Sequence, residues 1–437
     1  MKRQFAIVAM LTLASQIAAF IKLWVTAHAF GVGAIVDGYN LALVVPILLS
    51  SSLSGIVQTG LFPVRSRIAA AKVPAEVDAF ERAILLGVVG LGLALTLLLV
   101  LSRSVVMLWV AGDAPPATQG AFAAAFLPLA SLLTLNVVGD CAGYLLAMRN
   151  KFAIAAGAPI VNGAAGAVIL FSFSDGGVGT LVWSTIVGVA LQVGICLLGL
   201  RFTRLRLLGS LPATRSFAAA VRDMAKLGVW MVPGVVLSNL VLSLPQVWIT
   251  QYGEGAVSAF GYALRLHLAS LQLIVMASST LLLARFSELV STAQKDAVNG
   301  LLKVAVLASW VVGAVGFILV LVIGEPLLNV LLGGKFTSEA AHRVAVHWAI
   351  ITGSLPFAIM SNIYAKLWQA EGKPFLMTLL SAVNLGCMQL AFWVVGSMLL
   401  EYAGAFAFAT GASISAVVAV VIEWFRRSRK LAAGVLV

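Results

Sequence analysis

Residues 82–103 read RAILLGVVGLGLALTLLLVLSR, and the stretch between Arg82 and Arg103 carries no charge at all. A run of about 20 apolar residues is what a helix needs to cross a hydrocarbon core roughly 30 Å thick, and a water-soluble core has no use for one this uniform.

Eleven more such runs flank it, which places spans near 5–29, 38–64, 83–101, 121–148, 152–173, 178–200, 227–251, 257–284, 302–323, 342–365, 375–400 and 404–424. The composition agrees: 61% of the 437 residues are hydrophobic and 10% charged, and the mean hydropathy is +1.06. Of the 28 lysines and arginines, 23 fall in every second connection or at the two chain ends. Cytoplasmic loops carry the basic excess, so both termini are expected inside a bacterial inner membrane. Only Arg103, Lys335 and Arg343 fall on the other side, and Lys22 and Arg265 lie within spans.

The net charge of +12 does not imply nucleic acid, because that partner needs its cations gathered on one soluble face. Cys141, Cys196 and Cys387 sit singly inside apolar runs and read as buried, inert thiols. Met1-Lys2-Arg3, an apolar run and Ala27-His28-Ala29 imitate a secretory leader. The run is too long for one and Lys22 interrupts it, so the segment is expected to stay as the first span.

An internal repeat organises the spans. Lys151 and Asn162 recur as Lys373 and Asn384, both at an offset of 222. Gly31-Val32-Gly33 with Gly253-Glu254-Gly255, Gly38-Tyr39 with Gly261-Tyr262, and Trp24 with Trp248 follow at nearly that offset. Two parallel six-span halves result: 1–200 and 227–424, joined by a basic connector 201–226 and followed by a basic tail 425–437. The expected fold is therefore an all-α polytopic membrane protein of about twelve transmembrane helices in two six-helix lobes around a central cavity.

No GxSxG, HExxH or phosphate-binding glycine loop is present, the four histidines are scattered, and no outside loop exceeds about 20 residues. Enzyme chemistry is not expected, nor is a cofactor or metal. Transport driven by an ion gradient (protons or sodium), by membrane potential or by the substrate's own gradient remains, and ionisable groups inside the spans then carry the information. Arg265 lies roughly 12 Å into its span, too deep for easy snorkelling, which favours a cavity-facing anion binder. Lys22 is nearer the outer end of span one and reads equally as a headgroup-reaching lysine. Asp140 reads as a partner of Arg149 or as a gating group, and Asp37 as a cap on its own helix or a site residue. His267 and the repeat asparagines Asn162 and Asn384 complete the gating or coupling candidates. Pro46, Pro63, Pro128, Pro159, Pro233, Pro245 and Pro356 are expected to bend spans, and Ser50-Ser51-Ser52 makes span two small and polar.

Phe30-Gly31-Val32-Gly33 with Asp37-Gly38-Tyr39 and Pro46, Leu146-Ala147-Met148-Arg149-Asn150-Lys151-Phe152 with Pro159 and Asn162, Tyr262-Ala263-Leu264-Arg265-Leu266, and Gly334-Lys335-Phe336-Thr337 resemble the MviN/MurJ family of lipid II flippases. The similarity runs through both halves in the same order. It implies a V-shaped pair of lobes around a cationic cavity, which takes a lipid-linked, diphosphate-bearing sugar from the cytoplasmic side and releases it outside. The resemblance matches Arg265 and Lys22 to two of the family's cavity cations and Asp37 to its acidic residue after the first span.

Other positions depart from the family pattern. Gln16 and Ser50 stand where the family has arginines, Gly55 where it has an acid, and the chain carries twelve spans where lipid II proteins generally have two more. Another polyprenyl-linked saccharide, from an exopolysaccharide or O-antigen route, fits these departures. Expected partners are that lipid-linked substrate, membrane lipids and polysaccharide assembly proteins, with no nucleic acid. A MATE-like ion-coupled exporter of small molecules shares the superfamily and the span count. Such exporters often carry an acid in span one, where this chain has Lys22.

Overall fold

A computed structural model describes residues 2–71, 74–203, 205, 214–229, 232–292, 294–373 and 375–432. The connector residues 204 and 206–213 and the end of the basic tail, 433–437, lie outside the described residues.

Everything described is helix or short connection, with no strand. The helices are α1 (Lys2–Phe30), α2 (Ala34–Ala71), α3 (Pro74–Leu101), α4 (Arg103–Ala111), α5 (Pro116–Leu129), α6 (Ser131–Met148), α7 (Phe152–Ser172) and α8 (Gly177–Phe202). They continue as α9 (Thr214–Val229), α10 (Val232–Trp248), α11 (Ala256–Ser291), α12 (Lys295–Leu332), α13 (Ser338–Thr352), α14 (Leu355–Ala370), α15 (Phe375–Leu399) and α16 (Ala403–Ala432).

Among the described residues, nine helical stretches are long and apolar enough to cross a membrane, or ten if the bent pair α13–α14 is one span. One of the nine, Phe375–Ser428, holds both α15 and α16, which pack along each other. α11, with 36 residues, is about 54 Å long, which is enough length to cross. Counted so, the helices accommodate the twelve crossings that the sequence predicts. Span ten bends by 40° just before Pro356, where the proline ring removes a donor and crowds the preceding turn. Span four is broken between α5 and α6 at Ala130, just beyond Pro128. Pro326 lies beyond the predicted end of span nine, inside α12, which continues unbroken through it to Leu332.

The chain divides into two compact units. The first holds residues 1–239 together with 253–258 and 331–337; the second holds 240–252, 259–330 and 338–437. In the first, α1 packs on α7, α7 on α8, α2 on α5 and α6, and α3 on α6. In the second, α15 packs on α16, and α16 on α13 and α14.

Corresponding parts of the two units repeat in geometry as well as in sequence. The Lys151 N–H donates to Leu146 O at 2.8 Å and the Asn150 N–H to Ala147 O at 3.0 Å; the Lys373 N–H donates to Trp368 O at 2.8 Å and the Gly372 N–H to Gln369 O at 3.1 Å. Both are helix ends closed by a residue in the left-handed region, Asn150 at φ 61° and Gly372 at φ 71°. About three helical turns later, each asparagine lies against a glycine on the next helix. A Cβ on Gly188 would stand 2.5 Å from Asn162 Oδ1, and one on Gly411 would stand 2.5 Å from Asn384 Oδ1. Both helix pairs need glycine there for the same close approach.

Ion networks close the basic end of each unit with opposite polarity. In the first, Glu81, fully buried, accepts from Arg65 Nε at 2.9 Å and Arg149 Nε at 2.6 Å, and Arg149 also pairs with Asp78. Burial works against the charge of Arg149, but Glu81 and Asp78 outweigh it and hold the guanidinium above its ordinary value. In the second, Glu423 accepts from Trp368 Nε1 at 3.0 Å, Arg426 at 2.8 Å and Arg427 at 2.8 Å, while Arg426 also pairs with Glu371. At the repeated turn, then, the first unit places a cation, Arg149, and the second an anion, Glu371.

Candidate functional site

The first unit builds a polar cluster around Lys22 in an otherwise apolar setting. α1 comes close to α7 because α7 offers Gly163 and Gly166 on one face, one helical turn apart. A Cβ on Gly163 would meet the Ala18 backbone at 2.7 Å, and one on Gly166 would meet the Lys22 stem at 2.8 Å. Thus the lysine lies along α7 and reaches α8, where its Nζ donates to Thr185 Oγ1 at 3.1 Å. Thr185 Oγ1 in turn shares a hydrogen bond of 2.6 Å with Tyr39 Oη of α2. Further along the α7–α8 seam, Asn162 Nδ2 donates to Gln192 Oε1 at 2.9 Å.

These two glycines separate packing from ligand handling in a testable way. Gly163→Ala pushes a methyl into backbone that cannot yield, and is expected to lower stability by ~1–3 kcal/mol despite the better helix propensity of alanine. Gly166→Ala meets only a flexible lysine stem, so melting should stay near wild type while substrate affinity falls several-fold. Thermal unfolding in detergent beside a transport assay checks both, and equal losses of stability would contradict the distinction.

Asp37 caps a helix, as one of its two sequence readings held, but the helix is not its own. Its carboxylate is 1% exposed and accepts the Gly255 N–H at 2.6 Å and the Ser258 N–H at 2.6 Å, at the start of α11. Oriented amides at a helix N-terminus favour an anion there. Nearby, the Lys335 N–H donates to His28 O at 2.9 Å and Trp24 Nε1 to Leu331 O at 2.5 Å. Gly31, at φ 65°, lies so close to Lys335 O that a Cβ would stand 2.5 Å from it. Three sequence motifs that are far apart, around residues 31–37, 253–258 and 333–335, therefore meet in one place in the first unit.

The other predicted residues are distributed more widely. Ser50 is buried on α2, donates to Ile47 O at 3.1 Å and accepts from Asn136 Nδ2 at 3.5 Å. Gln16 is half-buried on α1. Asp140, half-buried on α6, stands beside Ser54 rather than Arg149, whose guanidinium goes to Glu81 and Asp78. In the second unit, Arg265 is exposed on α11, and His267 two residues later is 1% exposed with its ring edge-on to Phe408 of α16. Asn384 Oδ1 is buried without a hydrogen-bond partner. No group of His, Cys, Asp and Glu able to hold a metal occurs among the described residues.

Thr185, Gln192 and the hydroxyl of Tyr39 were not singled out from the sequence as site residues. The available signal was spacing: Thr185, Gly188 and Gln192 recur at i, i+3 and i+7, one small and polar face on an apolar helix.

A model of the lipid II flippase MurJ family matches residues 26–435. The chain belongs to the MurJ family. No curated protein matches its sequence. Among solved structures, this MurJ-family chain is similar to a lipid II flippase MurJ in an inward closed conformation, with a TM-score of 0.82 and 17% identity over 95% of this chain and 86% of that one. It is also similar to an inward-facing multidrug resistance MATE family transporter of the MOP superfamily, at TM-score 0.78 and 13% identity over 99% of each. An MOP superfamily transporter from Pyrococcus furiosus follows at TM-score 0.62 and 14% identity over 97% of this chain and 95% of that one. Likeness at such identities concerns the fold. Family membership makes this a multi-pass membrane transporter of a lipid-linked substrate, and not an enzyme.

Proposed function

We propose that this MurJ-family protein carries a polyprenyl-diphosphate-linked saccharide, a cell-wall, exopolysaccharide or O-antigen precursor, from the cytoplasmic to the outer leaflet by alternating access. The observation that carries the reading is the placement of Lys22. A cation within a membrane span costs at least about 2.5–3.5 kcal/mol, and here it is oriented by a hydroxyl pair in place of being left to snorkel. Such an ammonium suits the oxygens of a diphosphate, where ion-assisted hydrogen bonds are about twice as strong as neutral ones.

Arg265, exposed on α11, is a second candidate cation for the headgroup, with the planar fork that phosphate favours. Gln16 and Ser50 supply neutral polar groups for the saccharide, while Asp37 serves by holding the start of α11. Asp140, His267, Asn162 and Asn384 are the groups for gating or for coupling to a driving ion. Polysaccharide assembly proteins are the partners that would receive the product.

The basic ends of the spans are cytoplasmic on this reading. Single cysteines placed between residues 65 and 71 or in the 214–222 stretch should react with impermeant reagents only after the membrane is opened; labelling of intact cells would overturn the orientation. Function is tested by depletion. Polyprenyl-diphosphate saccharide should accumulate on the inner leaflet when the protein is removed, and a change in drug sensitivity without such accumulation would instead favour the exporter reading.

A further inference from the structure

We infer that Thr185 and Tyr39 are positioning residues that aim the Lys22 ammonium, and that this buried hydroxyl pair sets how tightly the oxyanion headgroup is held. The inference rests on the reading of Lys22 as an anion-binding residue.

Lysine is a poor anchor on its own. Its stem carries several rotatable bonds, and holding it in one place costs about 1.5–2 kcal/mol of rotamer entropy. In a membrane it can also extend toward the headgroup layer. Three features of the first unit oppose both tendencies. Gly166 leaves the groove on α7 in which the stem lies. Thr185 Oγ1, 3.1 Å from Nζ, gives the ammonium an acceptor that carries no charge. Tyr39 Oη, 2.6 Å from Thr185 Oγ1, fixes the threonine hydroxyl in turn.

The hydrogen-bond inventory allows this. A hydroxyl has one hydrogen and two lone pairs, so Thr185 can accept from Lys22 and still either accept from Tyr39 or donate to it. An ammonium has three donors, and Thr185 takes one of them. A carboxylate in the position of Thr185 would add a negative charge where an oxyanion must bind, whereas a hydroxyl directs the ammonium without adding one. Rigidity of the pair comes from packing: Thr185 is 9% and Tyr39 6% exposed, and threonine is stiff at χ1 because it branches at Cβ. Three helices thereby contribute to one aimed cation: α1 the lysine, α8 the acceptor and α2 the brace.

The experiment uses the full chain in vesicles of phosphatidylethanolamine and phosphatidylglycerol, with a labelled polyprenyl-diphosphate disaccharide as the probe. Thr185→Val keeps shape and removes the acceptor. Its half-saturating probe concentration is expected to rise about five- to tenfold, the equivalent of one net hydrogen bond, with maximal rate and melting temperature near wild type. Thr185→Ser should restore the wild-type value to within about twofold, and Tyr39→Phe should shift it in the same direction by less. A melting temperature lowered with half-saturation unchanged would overturn the inference, since that is the mark of a structural role. Should Thr185→Val fail to fold, Thr185→Ser and Tyr39→Phe carry the comparison. Lys22→Ala separates the two layers of the argument: if it raises half-saturation and Thr185→Val does not, only the positioning role fails, and if Lys22→Ala itself changes nothing, the anion-binding reading fails with it.

Discussion

Lys22→Ala is expected to lower delivery of the saccharide to the outer leaflet by at least about tenfold at wild-type protein levels. The magnitude follows from what is removed. A hydrogen bond to a charged group contributes about 1.5–3 kcal/mol, equivalent to roughly a ten- to hundredfold change in affinity for the headgroup. Stability should not fall, because an alanine in the Gly166 groove relieves the membrane span of a charge that is costly to keep there. Lys22→Arg should retain most activity, since it keeps the charge and adds a fork suited to phosphate, although its bulk must fit beside Gly166. Arg265→Ala is expected to act in the same direction. Surface glycan measured at matched membrane levels checks all three; unchanged display in both alanine variants would remove the assignment.

Glu81→Ala is expected to have the largest effect on stability, about 3–5 kcal/mol, with loss of most folded protein from the membrane. The reason is asymmetric. Removing this buried carboxylate leaves Arg65 and Arg149 facing each other at the basic end of the first unit, and Asp78 is the only acid then paired with Arg149 among the described residues. Removing both sides should cost less than removing one: Glu81→Ala with Arg149→Ala should recover part of the loss, because no uncompensated buried cation is left. Thermal unfolding of the single and double variants measures the difference, and strict additivity would contradict the network. Glu423 in the second unit has the same kind of position, with Trp368, Arg426 and Arg427 as its donors.

Much of the fold was legible because it rests on one-dimensional signals. Long apolar runs and the side preference of lysine and arginine mark the crossings, and the Lys151–Asn162 and Lys373–Asn384 pairs reappear as two matching helix ends with the same asparagine–glycine contact. Breaks inside spans were harder to place. Proline marks them only roughly: α5 and α6 separate at Ala130, two residues beyond Pro128, whereas the hydrogen bond that a proline removes lies in the turn before it.

The candidate site was only half legible for a related reason. A charge in a span is conspicuous in sequence, so Lys22 and Arg265 were visible. Their neutral partners were not, since Thr185 and Tyr39 are ordinary in membrane helices and acquire meaning only where α1, α2 and α8 meet. Asp37 was visible as an acid near a helix start, but which helix it caps depends on contacts more than 200 residues away along the chain, at Gly255 and Ser258.

The most direct test of the account is the leaflet exposure of a labelled polyprenyl-diphosphate disaccharide in sealed vesicles containing the purified full chain. With wild type, the fraction of label reached by an impermeant reagent should change with time beyond that in protein-free vesicles, and Lys22→Ala should reduce the rate about tenfold or more. Exposure indistinguishable from protein-free vesicles, or equal rates for wild type and Lys22→Ala, would contradict the claim that this chain moves an anionic lipid-linked saccharide by way of Lys22.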